Sequence, residues 1–374
     1  MTASPDTRQA GEGLPEVHVV GTGLIGTSIG LALRAVDVDV SLADQSETTV
    51  ALARDLGAGR ITGEVDPGVV VIAAPPDISP RLVLEALERW PGAVVTDVTS
   101  VKQVIHADLV RAGRALDRYV GSHPMAGRER SGAISGRGDL FEGRAWVLCP
   151  HEGSDPAAVD LVERMARATG AATSRLSPAD HDAAVAAVSH VPQVAASLVA
   201  ARLEHLSEQA LGLSGPGVRD VTRIAASDPG LWTQILAGNA VAVGAVLTEI
   251  SEELTGIVEA LTELGREESV ADAPGARAVL ARAIAHGNAG HARIPGKHGA
   301  ATTAYEVVSV VVDDRPGEVG RLLTEIGEIG VNMEDLRLDH GLGLPFGLAE
   351  VAVLPSAAGP LSEELRARGW RIQD

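Results

Sequence analysis

The sequence predicts an α/β Rossmann-type dinucleotide-binding domain, then an all-α helical domain, then a C-terminal ferredoxin-like α+β domain. Three observations predict it. Short β-branched runs alternate with longer helical stretches up to about residue 175. All strand signal then disappears between about residues 181 and 268, and strand–helix alternation returns after residue 303. The expected boundaries are 16–180 for the first domain, 181–271 for the second, 272–302 for a linker and 303–374 for the third.

In the first domain the clearest strands are 17–20, 38–40, 69–72 and 93–96, each followed by a Gly, Pro or Asp cluster. Such alternation implies βαβ units on a parallel sheet, which 119–120 and 146–148 would extend. Directly after the first strand stands Gly21-Thr22-Gly23-Leu24-Ile25-Gly26, opening a helix that runs to about Ala35. Such glycines serve a tight turn, close approach of backbone to a pyrophosphate, and close helix–strand packing. A second strand ending at Asp44 places a carboxylate where ribose hydroxyls are bound. A carboxylate there repels a 2′-phosphate, and no Arg follows closely, so NAD is expected over NADP. Ala74 and Pro75, after the third strand, would pass beneath the cofactor.

From residue 181 the chain is rich in Ala and Leu at helical spacing, broken near Leu213-Ser-Gly-Pro-Gly217 and Ser227-Asp-Pro-Gly230. Pro192 and Pro229 stand where first helical turns would begin, with Ser189, Ser227 or Asp228 as caps. The long Ala-rich stretch 240–264 would bury one face against another subunit, so a homodimer is expected. Residues 272–302, rich in Ala, Gly, His, Arg and Pro, read as a linker or loosely packed extension. After it, strand 305–312, turn 313–317, helix 319–329, strands 331–338 and 347–354 and helix 361–368 give βαββα, with a final strand left open at 370–373.

Composition excludes several classes. A formal net charge of −19 argues against nucleic acid and anionic membranes as partners. With aromatics at 2%, base-stacking surfaces are not expected. An anionic small molecule remains possible if isolated cationic side chains line a pocket. The single cysteine, Cys149, allows no disulfide framework or multi-thiolate metal site, and its setting reads as the end of a buried strand. The polar first fifteen residues show no secretory pattern, and no run approaches eighteen uninterrupted apolar residues. A cytoplasmic protein is expected.

Two further segments fall at the carboxyl ends of strands, where open α/β sheets place ligands: Asp97-Val-Thr-Ser100-Val-Lys102 and Gly121-Ser-His123-Pro-Met-Ala-Gly127. His123 is framed by Gly and Pro, read as a loop beside the dinucleotide site. With Ser189-His-Val-Pro192 and Arg219-Asp-Val-Thr-Arg223-Ile-Ala-Ala-Ser-Asp-Pro229, these motifs resemble, in order, the prephenate and arogenate dehydrogenase family. The resemblance covers nearly everything from Val17 onward. The C-terminal unit, through Asp314-Arg-Pro-Gly317 and Gly330-Val-Asn332, resembles an ACT domain, a module that often senses amino acids.

The resemblance implies oxidative decarboxylation of a cyclohexadienol without a metal: hydride passes from the hydroxyl-bearing ring carbon to NAD, and the ring carboxylate leaves as carbon dioxide. It implies that His123 accepts the hydroxyl proton and that Ser100 hydrogen-bonds the hydroxyl and orients His123. Arg223 matches the substrate-carboxylate arginine, whose fork binds two oxygens. Ser189 and Gln193 fall in the substrate-binding motif. Trp232 either reaches the site from a partner subunit or fills a helix core. Glu129 and Asp220 match an ionic gate. Arg219 is a second anion contact or a solvated face. His190 reads as structural, and Lys102 as a sheet-end charge. Gln193 stands where a second histidine is often found in prephenate-specific members, which keeps arogenate or dual use open. In the C-terminal unit, Gly317 and Asn332 would frame a tyrosine effector site.

Two readings from other classes compete. A β-hydroxyacid dehydrogenase would share the first two regions, but it needs a helical Lys as proton donor, and 181–268 contains none. A non-catalytic NAD- and amino-acid-sensing regulator would have no use for Ser100, His123 and Arg223 together.

Overall fold

The computed structural model describes residues 5–127, 132–266, 275–294, 305–340 and 346–373. The chain divides into two compact units, Met1–Leu198 with Ile224–Thr248, and Val199–Arg223 with Glu249–Asp374.

The first unit begins with α1 (Pro5–Gly11), β1 (Val17–Val20), α2 (Leu24–Arg34), β2 (Val40–Ala43), α3 (Glu47–Asp55), β3 (Val69–Ile72), α4 (Ser79–Arg89), β4 (Val94–Asp97) and α5 (Gln103–Arg111). Its four strands are parallel, in the order β2-β1-β3-β4. The β3 run Val-Val-Val-Ile is apolar throughout because both sheet faces are covered. Val69 and Val71 enter one core, Val70 and Ile72 the other. Strand order reverses between β1 and β3, and a crevice forms beyond the carboxyl ends of strands at such a point.

β5 (Gly121–Pro124), β6 (Ala145–Cys149), α6 (Pro156–Ala168) and β7 (Ala172–Arg175) follow, the strands forming a second sheet. A parallel bridge between Val95 and Tyr119 links it to β4. This corrects one expectation: 146–148 does not extend a parallel sheet, since β6 runs antiparallel to β5. A parallel return needs a crossover, usually a helix, and the described part of 125–144 carries only a 3-10 turn at Ala133–Ser135. Cys149 ends β6 buried, its thiol pushed up to about 12 by burial.

α7 (Pro178–Val185) leads through a π turn (Ala186–His190) into α8 (Val191–Ala201) as one continuous helical run. Ser189 is therefore not a cap. Pro192 lacks an N–H, and the wide turn before it accommodates the lost bond. The run contains a window of mean hydropathy 1.5 and is long enough to cross a membrane, yet it carries the buried His181, Asp182 and His190. α9 (Glu208–Leu211), α10 (Pro216–Thr222), α11 (Pro229–Gly238) and α12 (Ala240–Leu264) complete the helical region. Asp228 caps α11, accepting from the Leu231 N–H at 2.7 Å. α11 and α12 meet at Asn239 with a 93° bend.

The stretch read as a linker holds α13 (Ala276–His291), whose Ala276 packs with Ala260 of α12. Its Ala and Arg content is that of a good helix former. β8 (Glu306–Asp313), α14 (Glu318–Ile329), β9 (Asp335–His340), β10 (Phe346–Val353), α15 (Pro355–Ala367) and β11 (Arg371–Gln373) follow. Their strands are antiparallel, in the order β11-β8-β10-β9. Alternate residues Val308, Val310 and Val312 of β8 and Ala349, Val351 and Val353 of β10 pack against Leu322, Ile326, Leu361 and Leu365 of the two helices. The final strand left open in the sequence is formed, as β11.

Candidate active site

The turn from β1 into α2 is built for close approach. Gly21 has φ +99°, and a Cβ there would stand 2.3 Å from the Ala73 carbonyl oxygen; one on Gly26 would lie 1.9 Å from the Gly21 oxygen. Gly23 differs, since a Cβ on it would meet nothing within 4 Å. It begins α2 without a side-chain cap, and the first turn holds no acidic residue. The N–H groups of Leu24, Ile25 and Gly26 lack intrahelical acceptors and suit a diphosphate. Asp44, just past β2, accepts from the Thr22 N–H at 2.6 Å, the Thr22 hydroxyl at 3.0 Å and the Ser46 N–H at 2.9 Å. The carboxylate is thus held at the edge of the glycine turn. Across the crevice, Ser79 donates to the carbonyls of Ala74 and Pro75, shaping the turn after β3. These residues fit a dinucleotide.

His123 lies within β5, not in a loop after it, because Gly121 to Pro124 pairs with β6. Its Nδ1 stands 2.9 Å from Nε2 of His181 on α7, and His181 Nδ1 stands 2.7 Å from Asp182 Oδ1. The Asp182 carboxylate also accepts the backbone N–H groups of Lys102 at 2.9 Å and Gln103 at 2.8 Å, where α5 begins. Burial, reinforced by His181, Lys102 and His190, holds His123 well below the usual histidine range. The imidazole is therefore neutral near pH 7 and able to accept a proton. Ser100 lies partly buried in the turn between β4 and α5. The bond that orients His123 here comes from His181.

Sequence reasoning missed His181 and Asp182 and undervalued Lys102. Lys102 is buried, paired with Asp97 and donating to the Thr99 hydroxyl at 2.8 Å, while the Tyr119 hydroxyl donates to the other Asp97 oxygen at 2.7 Å. The available signal was charge on an apolar background: His-Asp inside an Ala- and Val-rich helix, and a Lys after a β-branched strand.

Around the π turn, Asn239 donates to the Asp182 carbonyl at 2.8 Å and lies 3.1 Å from His190 Nδ1. His190 meets Trp232 edge-on, ring centres 6.1 Å apart. Gln193 is buried, and its amide nitrogen lies 3.4 Å from the Ser197 hydroxyl; Ser189 is half-buried. The structure thus brings His123, His181, Asp182, Lys102, His190, Asn239 and Trp232 together. In the other unit, Arg219 and Asp220 on α10 and Arg223 just after it are exposed. Glu129 lies outside the described residues. Among the described residues no group of three His, Cys, Asp or Glu side chains is placed to hold a metal ion.

Two family models match in tandem: the prephenate dehydrogenase nucleotide-binding domain over residues 29–174, and the prephenate dehydrogenase dimerization domain over 177–272. The chain belongs to the prephenate dehydrogenase family. It is 37% identical over 357 residues to the probable prephenate dehydrogenase NovF of Streptomyces niveus, covering 94% of this chain and 98% of that one. Identity to the prephenate dehydrogenase of Bacillus subtilis is 34% over 245 residues, covering 60% and 64% of the two chains. Among solved structures, the prephenate dehydrogenase of A. aeolicus, in complex with hydroxyphenyl propionate and NAD+, superposes with a TM-score of 0.62 at 27% identity. That match covers 73% of this chain and 98% of the other. This member of the prephenate dehydrogenase family is an NAD-dependent dehydrogenase.

Proposed function

We propose that the chain oxidatively decarboxylates prephenate to 4-hydroxyphenylpyruvate with NAD, in tyrosine biosynthesis. The observation that carries the reading is His123: a buried, neutral imidazole in the unit that also holds the glycine turn, within a chain of this family. Gly21 to Gly26, Asp44, Ala74 and Pro75 hold the cofactor. Bound NAD supplies the hydride acceptor. His123 takes the hydroxyl proton at Nε2, and Ser100 donates to or accepts from the same hydroxyl. Arg223 binds a substrate carboxylate, a role that its exposed guanidinium, unpaired among the described residues, supports. Ser189, Gln193 and Trp232 line the substrate, and Glu129 with Asp220 gates it. Domain limits of 16–180, 181–271, 272–302 and 303–374 accompany this reading, the third now including α13.

A second substrate is favoured by one residue. Gln193 can accept from an ammonium as well as donate to a keto oxygen, so arogenate or dual use is the alternative. Two enzyme-level proposals accompany it. Ile250, Leu254, Val258 and Leu261 recur at helical spacing on α12 and are 44–56% exposed, which suits a second copy of this cytoplasmic chain. The C-terminal βαββαβ unit is an ACT-type module binding tyrosine near Gly317, which has φ +94°, and Asn332.

NAD reduction followed in parallel with prephenate and arogenate tests the substrate. Turnover of either supports the reading, and their ratio assigns Gln193. No turnover of either, with NAD bound, favours a sensor. Calorimetry with tyrosine tests the C-terminal module; no heat and no change in turnover removes that role.

A further inference from the structure

We propose that His181 and Asp182 are positioning residues that hold His123 in the tautomer carrying its hydrogen on Nδ1, leaving Nε2 free to receive the substrate proton. The inference rests on His123 being the base. It follows from matching donors to acceptors along the chain of contacts.

An ionised carboxylate only accepts, so Asp182 Oδ1, 2.7 Å away, fixes His181 Nδ1 as the donor. With its hydrogen on Nδ1, His181 offers the lone pair of Nε2. His123 Nδ1, 2.9 Å from that lone pair, must donate, and the only remaining acceptor nitrogen of His123 is Nε2. Asp182 itself cannot swing away, because the N–H groups of Lys102 and Gln103 hold both of its oxygens and Asn239 holds its carbonyl. The relay is therefore anchored on the turn that follows Ser100, and base and hydroxyl-binding serine share one support.

In the reaction the substrate O–H bond breaks and an N–H bond forms at His123 Nε2. No proton need leave the relay. The positive charge that appears on His123 is shared through Nδ1–H toward His181 and is offset by the Asp182 carboxylate. The groups that bear on His123 are His181 on α7, Lys102, paired with Asp97, at the start of α5, and His190 in the π turn, with the Asp182 carboxylate behind His181.

The test uses the full chain with Asp182→Asn, His181→Leu and His181→Gln. Asparagine removes the carboxylate charge behind His181 and leaves one of the Lys102 and Gln103 N–H groups facing an amide NH2, so the relay loses its counter-charge and part of its anchor. Asp182→Asn should lower kcat by about 10²- to 10⁴-fold with KM for NAD unchanged, and move the acid limb of kcat/KM to lower pH. His181→Leu should match that loss in kcat. His181→Gln, which can still accept from His123 Nδ1, should recover most of it. If all three keep kcat within about threefold of the parent, with an unmoved acid limb, the relay has no such role. Should the variants fail to fold, nitrogen-15 spectra of the histidines in the unaltered chain decide the matter, with His123→Ala and His181→Ala for assignment. Hydrogen on Nδ1 of both residues supports the proposal. Hydrogen on His123 Nε2, or on both nitrogens of His181, overturns it. Those spectra do not depend on turnover, so a wrong substrate assignment and a wrong relay give different results.

Discussion

Lys102 and Asp97 form an ion pair sealed from water, their side chains 1% and 0% exposed. The second Asp97 oxygen takes the Tyr119 hydroxyl, and burial together with that carboxylate raises the phenol well above its usual range. Removing one partner of such a pair strands the other's charge. Lys102→Met should cost about 3–5 kcal/mol of stability, measured by denaturant unfolding. Because Lys102 is also among the cations that lower His123, the acid limb of kcat/KM in this variant should move to higher pH.

The glycines of the nucleotide turn should separate binding from folding. Gly26→Ala puts a methyl 1.9 Å from a carbonyl oxygen, so the backbone must shift and the thermal midpoint should fall by several degrees. Gly23→Ala meets open space, so the midpoint should hold while NAD affinity drops about tenfold or more, the methyl standing where the diphosphate approaches. Calorimetry and thermal melts on both variants check the contrast.

Asp44 should set cofactor choice. Asp44→Asn removes the charge that repels a 2′-phosphate while preserving acceptance from the Thr22 N–H through the amide oxygen. The NADP-to-NAD ratio of kcat/KM should rise by about tenfold, equivalent to about 1.4 kcal/mol. An unchanged ratio would place selectivity elsewhere.

Acid should weaken the fold through buried histidines. Burial, assisted by Arg89 and Arg60, lowers His18 to about 4, and burial also lowers His190 to about 4. Below pH 6.5 the unfolded chain binds these protons and the folded chain does not. Their contribution is therefore complete above pH 6.5 and is lost as pH falls toward 4, at about 1.4 kcal/mol per pH unit for each imidazole. Denaturant midpoints measured from pH 7.5 down to 4.5 should fall accordingly, and His18→Gln should flatten the slope.

What could be read in the sequence was whatever depends on near neighbours. Gly21 to Gly26, the alternation in β8 and β10 and the Asp228 cap are local constraints, visible without a fold. Strand direction is not local: nothing in Trp146-Val-Leu148 says that it runs against β5. The same limit hid the relay. His123 and His181 are far apart in the chain, and a histidine in an Ala-rich helix resembles any core residue until the fold sets it 2.9 Å from another ring. Pro192 misled for a related reason, since a proline that opens a helix and one tolerated by a π turn look alike in sequence.

The most direct test of the central claim is the turnover of His123→Ala with saturating NAD and prephenate. A drop in kcat of about 10²- to 10⁴-fold, with NAD affinity and thermal midpoint near those of the parent, is the result expected if His123 takes the substrate proton. A kcat within about threefold of the parent would contradict it and place the base elsewhere.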